Sequence, residues 1–370
     1  MKKSVFAVAV LSTVLSTAAG MASAQTNVTI YGIVDMGLDY NVGATGSAAT
    51  GAASKLAMAS GQTSGSRLGF KGSEDLGNGL SAIFTLEDGF NANDGSQGYS
   101  GRLFGRQSWV GLSGNLGSVT IGRQYSSTYL ALQTLDPYKV NTAGDAQKVY
   151  GYGLGKSDPI SRVDNSVVYQ TQSIAGLSGM AGYGFSSATS TYYKSSTKFG
   201  GVNYVNGPLT VLASYQDTDR VSFAPSSTPT AALDAMVVAS GLAPTTTTLA
   251  TVKNSVVGGT YDFGVVKLHA GFGTTKAQSV GTLSIRNYLV GLTAPVGTGT
   301  LLSSWNRINV TNVSGGVANQ FAIGYTYPLS KRTNFYAIAA YTENGDGVMM
   351  NSWANGKSDR EMQAGMRHTF

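Results

Sequence analysis

Apolar and polar side chains alternate with a period of two along most of the chain. In the first such segment Val28, Ile30, Val34, Met36, Leu38 and Tyr40 share one face, and Thr29, Tyr31, Asp35 and Asp39 share the other. Leu209, Val211, Ala213 and Tyr215 alternate with Thr210, Ser214 and Gln216; Val266, Leu268, Ala270 and Phe272 alternate with Lys267, His269 and Gly271. Phe321, Ile323, Tyr325 and Tyr327 do the same, as do Met362, Ala364, Met366 and Phe370 near the C-terminus. A period of two is the mark of a β-strand, whose successive side chains point to opposite faces. Water-soluble sandwiches alternate in this way too. Here the apolar faces often end in Tyr or Phe, as the aromatic girdles of a membrane barrel require.

The connections sharpen the choice. Short turns fall at 72–79, 113–117, 206–208 and 328–333, and long polar or small-residue stretches at roughly 41–66, 90–101, 125–161, 186–195, 218–252 and 344–358. Short turns on one rim and long loops on the other are the pattern of bacterial outer-membrane barrels. Counting the segments gives sixteen strands, an even number as such barrels prefer. The stretches 173–206 and 255–310 divide less clearly and leave fourteen or eighteen open. The segment 228–250 reads as a loop insertion, which costs little.

Composition supports the membrane reading. Charged residues make up 12% of the chain, about half the share of a soluble domain. The chain carries 49 Gly, 20 Tyr and no Cys, so disulfides, cysteine-zinc clusters and thiol nucleophiles are excluded. Residues 1–24 read as a cleaved secretory signal peptide: Lys2 and Lys3, an apolar run from Val5 to Leu15, then Ala22-Ser23-Ala24. The barrel domain is expected over 25–370. Loss of Lys2 and Lys3 lowers the formal charge from +6 to +4. No basic cluster with interleaved aromatics points to nucleic acid. No later apolar run is long enough for a spanning helix, so a β-barrel with lipid outside and water inside is the expected fold.

Charged residues inside alternating strands then become informative. If Leu68 and Phe70 face lipid, Arg67 faces the lumen; an arginine on the lipid face near the midplane costs about 2–4 kcal/mol. Arg106, Arg123 and Arg162 raise the same question. The stretches "SRLGFKGSEDLGNGLSAIFTLE" (66–87), "RQSWVGLSGNLGSVTIGRQ" (106–124), "YPLSKRTNFYA" (327–337) and "GMRHTF" (365–370) resemble the signatures of Gram-negative general porins, most closely the β-proteobacterial branch. That resemblance implies a sixteen-stranded antiparallel barrel assembled as a homotrimer, with the third extracellular loop folded into the lumen. It places Arg67, Arg106 and Arg162 on the basic wall of a constriction, with Arg123 at the approach to the inward loop. It places acidic residues on that loop, Asp136 first and Asp145 second. Turn capping is the competing role for these aspartates, Asp145 and Asp158 above all. Phe370 resembles the terminal residue of the signal read by the outer-membrane assembly machinery.

The expected function is a general diffusion channel in the outer membrane of a Gram-negative bacterium. It passes small hydrophilic solutes and ions, with a preference for anions, since arginines stay charged and basic rims attract anions. The expected surroundings are outer-membrane lipids and lipopolysaccharide; no cofactor, metal or nucleic acid is expected. A substrate-specific channel and a loop-based adhesin are the alternatives. An enzyme is not expected: His269 and His368 are the only histidines, and neither lies near a nucleophile or metal-binding motif.

Overall fold

The structure, a computed structural model, describes residues 27–47, 51–99, 101–146, 161–186, 196–223, 248–278, 282–311, 313–352 and 354–370. The expected signal peptide, 1–24, lies outside them, as does 224–247, most of the expected loop insertion. The strands are β1 (Asn27–Ser47), β2 (Gly51–Ser60), β3 (Arg67–Gly77), β4 (Leu80–Gly89), β5 (Gln107–Gly114) and β6 (Gly117–Tyr125). After helix α1 (Ser127–Leu135) come β7 (Arg162–Gln170), β8 (Leu177–Gly184), β9 (Thr197–Asn206), β10 (Leu209–Phe223), β11 (Thr248–Asp262) and β12 (Lys267–Gln278). β13 (Thr282–Val296), β14 (Gly299–Val310), β15 (Val317–Pro328), β16 (Thr333–Asn344) and β17 (Asp359–Thr369) complete the sheet.

Each strand from β3 to β17 pairs antiparallel with the next, and β17 returns to β1 over Ile33–Val42. The other edge of β1 is shared: residues 27–33 pair with β3 and residues 36–47 with β2. β2 and β3 are therefore two pieces of one wall position, broken at 61–66. The closed wall has sixteen positions. This corrects one expectation. The stretch 41–66 is not all loop, because β1 runs to Ser47 and β2 covers 51–60. Ala, Ser and Gly there carry too little hydrophobic contrast to show the alternation. The "GSEDLGNG" turn also shrinks to Asn78 and Gly79, both with positive φ (56° and 75°), the backbone that a two-residue hairpin demands.

The outward faces are apolar and exposed: Ile30 is 61% exposed, Ile121 56% and Ile323 57%. With lipid around the wall, these are the side chains that hydrocarbon covers. The inward faces differ around the barrel. On β1 to β5 they carry Tyr31, Asp35, Arg67, Thr85 and Glu87. On β10 to β15 they mix buried apolar residues, such as Leu212, Val256, Leu289, Ile308 and Val310, with buried uncharged polar ones, such as Gln216, Asn254, Asn287, Asn306 and Gln320. What buries them is the segment after β6, joined by Val348 and Met350 from the segment after β16.

Candidate functional site: a basic wall and an inward segment

Arg67 opens β3, and its strand partner β4 brings Glu87 to the same inward face, diagonally across the register. Arg67 Nη1 lies 3.9 Å from Glu87 Oε2. Arg67 also donates to the Gly65 carbonyl at 2.9 Å and the Ser64 hydroxyl at 2.8 Å. Arg106, just before β5, donates from Nε to Glu87 Oε1 at 2.7 Å. Its Nη2 donates to the Tyr125 hydroxyl at 2.9 Å. The same hydroxyl accepts from Arg162 Nη2 at 3.1 Å, while Tyr31 donates to Glu87 Oε2 at 3.0 Å. Arg67, Arg106 and Arg162 thus converge on one carboxylate and one phenol. Three guanidiniums and the Glu87 carboxylate thus share this stretch of wall.

Arg162 is held as much by aromatic faces as by hydrogen bonds. Its guanidinium lies 4.7 Å from the Tyr125 ring centre, 5.0 Å from Tyr99 and 5.9 Å from Tyr129, within the range of cation–π attraction. Tyr125 and Tyr129 stack at 5.0 Å. Arg123 stands apart from this group. It donates to the Gly105 carbonyl at 2.8 Å and pairs with Asp164 at 2.6 Å, and Arg102 meets the same carboxylate at 2.9 Å.

After Tyr125 the chain turns inward. The Ser126 hydroxyl caps α1 by accepting from Tyr129 N at 3.2 Å, and Pro137 follows the helix end. Ser127 is hydrogen-bonded to Ser214 of β10 at 2.9 Å. His269 Nδ1 of β12 donates to the Leu135 carbonyl at 2.9 Å. Further on, Tyr138 donates to the Leu302 carbonyl at 3.1 Å, Gln363 accepts from Ala143 N at 2.8 Å, and Gln320 donates to the Ala143 carbonyl at 3.2 Å. Residues 126–146 therefore cross the inner wall from β9 to β17. Two glycines permit the close approach: a β-carbon on Gly258 would meet Leu135, and one on Gly291 would meet Pro137.

Asp136 and Asp145 are each only 1% exposed and do not line open water. Asp136 accepts backbone N–H groups from Tyr138 at 3.1 Å, Val140 at 2.9 Å and Ala146 at 3.1 Å; it organises the turn. Burial pushes its carboxyl up to about 7, with the nearby charge of Asp145 adding to the rise and the three N–H groups opposing it. Asp158 lies outside the described residues. Glu87 is the carboxylate that binds Arg106 and stands 3.9 Å from Arg67. It was open to recognition in the sequence: Thr85 and Glu87 alternate with the apolar Phe84 and Leu86, and a β-bulge at Leu76 then sets the register that brings Glu87 beside Arg67. Arg102, Tyr125 and Asp164 carried no such signal, since their neighbours come from a loop, an inward turn and a bulge at Asn165. Phe370 closes the seam by exchanging backbone hydrogen bonds with Gly32, both at 3.1 Å.

A closed antiparallel barrel with an apolar exterior, a charged inner wall and a segment folded inside is a membrane channel of the outer-membrane type. A family model described as Gram-negative porin matches residues 7–347. An outer membrane porin protein of Bordetella pertussis is 34% identical, covering 93% of this chain and 95% of the relative. Outer membrane porin protein 32 of Delftia acidovorans is 32% identical, covering 100% of both. An anion-selective porin from Comamonas acidovorans matches with a TM-score of 0.76 at 28% identity, over 94% of this chain and 100% of that one. The chain belongs to the Gram-negative porin family and forms a channel of the outer membrane.

Proposed function

We propose that this porin is a trimeric diffusion channel whose anion preference is set by Arg67, Arg106 and Arg162. One observation carries the reading: the three arginines meet at Glu87 and Tyr125 on the inner wall that the inward segment leaves free. Arginine does not lose its proton in a protein. The group therefore holds a fixed positive potential where the passage is narrowest, with Glu87 giving it a local transverse field. Anions gain from that potential, as they do beside basic rings in other pores. Small polar solutes align in the field, and bulky apolar solutes find no favourable orientation. The anion-selective Comamonas relative supports this reading, and the apolar, cation-free outer face of β1 to β5 fits a contact between chains. Phe370 serves assembly, residues 1–24 serve export, and the resting environment is outer-membrane lipid.

The test is a planar-bilayer recording with asymmetric KCl. Replacing Arg67 and Arg106 with Ser removes two fixed charges and shortens two side chains. Conductance stays level or rises, and anion preference falls. The fall is largest at low salt, where the screening length is about 30 Å at 0.01 M. An unchanged reversal potential in the folded double variant would overturn the assignment. A single conductance step instead of three, in wild-type protein, would overturn the trimer.

A further inference from the structure

A cavity of about 170 Å³ lies inside the barrel between α1 and the wall of β7 to β10, away from the arginines. Gln170 ends β7, Ser178 is the second residue of β8, and Asn203 lies three residues before the end of β9 at Asn206. All three are at the short-turn ends of their strands, so the cavity sits on the short-turn side of the helix. At about 3.3 Å per residue along β7, Gln170 is roughly 25 Å from Arg162. Among the described residues no charged side chain lines the cavity. The helix turns Leu130 toward it, and the wall adds Met180 and Leu212.

The polar side chains of the cavity divide into two sets. Those beside α1 are satisfied within the protein: Ser214 meets Ser127 at 2.9 Å and Thr128 at 3.0 Å, and Thr134 donates to the Leu130 carbonyl at 2.9 Å. Those farther along the wall are not. Ser178 is the direct cross-strand partner of Asn203, and Gln170 pairs with Met180, two residues along from Ser178. Among the described residues none of these three side chains finds a hydrogen-bond partner, and Asn203 Oδ1 is shut off from solvent without a donor. A buried acceptor left without a donor is costly. The χ2 torsion of asparagine is broad, so a small rotation brings either amide atom to a guest in the cavity. Three adjacent strands thus present a row of uncharged donors and acceptors, facing an apolar surface.

We propose that the cavity beneath α1 is a holding site for one small uncharged polyol of single-sugar size. The size follows from the volume, which is well below the 300 Å³ or so at which pockets for drug-sized ligands begin. The class follows from the lining. Neighbouring strands lie about 4.8 Å apart, so one ring bearing several hydroxyls reaches two or three of Gln170, Ser178 and Asn203 at once. Its C–H face then rests on Leu130, Leu212 and the adaptable Met180 side chain. An anion finds no cation there, and an apolar guest leaves the Asn203 amide unpaired. The site therefore works on a class of solute that the arginine group does not discriminate, and it stands whether or not that group sets the anion preference.

The experiment titrates D-glucose into detergent-purified protein and follows saturation transfer from protein to sugar by NMR. Wild type gives a saturable signal. Asn203→Leu keeps the size of the side chain, removes the amide, and binds glucose about tenfold more weakly. Its reversal potential in asymmetric KCl equals that of wild type. If Asn203→Leu does not fold, the double variant Gln170→Ala, Ser178→Ala carries the test at the edge of the same cavity, again with about a tenfold loss. Arg67→Ser with Arg106→Ser leaves glucose binding as it is in wild type. A signal in wild type that never saturates overturns the proposal, because the cavity then holds water alone. Equal affinity in wild type and the folded cavity variants overturns it too, as does a loss of glucose binding in the arginine variant, which would place the sugar at the basic wall.

Discussion

The two halves of the barrel interior are built on opposite principles. From β1 to β7 the inner wall is polar and charged, and its side chains are tied to one another: Arg67, Glu87, Arg106, Tyr125 and Arg162 form one linked group. From β10 to β16 the inner wall mixes apolar residues with buried polar ones that are mostly uncharged, and many of its side chains are tied to the inward segment. Leu132 and Leu135 of α1 are 1% and 0% exposed, among Leu212, Val256 and Leu289. Tyr138 and Ala143 pack on Ala322, Tyr336 and Ile338. Water and ions are thereby left the charged half. The second half works as the seat, its apolar clusters holding the segment to one side, and the charged half sets what passes. In an outer-membrane barrel a strand with two apolar faces signals a second protein layer inside, since hydrocarbon lies only outside.

The largest effect is expected from breaking the seat. Leu132→Asp places an unpaired carboxylate in an apolar site, at a cost of several kcal/mol. The inward segment is expected to leave the wall, and single-channel conductance to change strongly. Wild-type conductance in the folded variant would mean that hydrogen bonds, not apolar packing, hold the segment.

Next comes the charged half. Glu87→Gln removes the carboxylate between Arg67 and Arg106 and keeps an acceptor for one of them. Anion preference is expected to increase, read as a larger reversal potential at low salt. Thermal stability is expected to drop by about 3 kcal/mol, the scale for losing one partner of a buried ion pair. A reversal potential that does not move would show that permeating ions do not sense this group.

A smaller effect is expected at Asp35. This carboxylate, 0% exposed, accepts from Thr63 N at 2.9 Å, Ser64 N at 2.8 Å and the Tyr336 hydroxyl at 2.6 Å. It pins segment 61–66, and that segment holds Arg67. Asp35→Asn is expected to cost about 1–3 kcal/mol and to increase open-channel noise, as Arg67 loses its fixed support. Noise equal to wild type would place the support of Arg67 elsewhere.

The smallest effect concerns pH and the turn at Asp136. Its folded carboxyl titrates at about 7, above the ordinary carboxylate value of about 4. The folded segment therefore binds a proton that the unfolded segment has released. Its stability is fully present at low pH and is lost as pH rises from about 4 through 7. Amide protection factors at Val140 and Ala146 are expected to fall over that window. Asp145→Asn removes the neighbouring charge and is expected to move the fall to lower pH. A flat profile in wild type would show that the three N–H donors outweigh burial.

Much of this was legible in the sequence. The period-two faces of β1, β12, β15 and β17 are the faces that the barrel exposes and turns inward. Alternating short and long connections pointed to sixteen strands with fourteen or eighteen left open, and the closed wall has sixteen positions. Arg67 could be assigned inward because its neighbours Leu68 and Phe70 belong to lipid, and Glu87 because it alternates with Phe84 and Leu86; that the two meet depends on the bulge at Leu76. Leu212 and Leu289 were not legible as inward residues, since alternation cannot distinguish an apolar residue facing lipid from one facing another part of the chain. The role of Asp136 was not legible either: an aspartate before a proline reads the same whether it faces water or its own backbone.

The sequence by itself determined the barrel, its lipid face, its rims and the inward direction of Arg67. These depend on local period, turn length and the cost of charge in hydrocarbon, all of which act within a hairpin. Only the tertiary structure decided which half of the lumen is filled, which carboxylate meets the arginines and where Arg162 comes to rest. Those outcomes depend on contacts between strands and a segment far apart in the chain, such as Ala143 on Gln363 and His269 on Leu135. No local pattern encodes such pairings, because they exist only once the wall has closed around the segment.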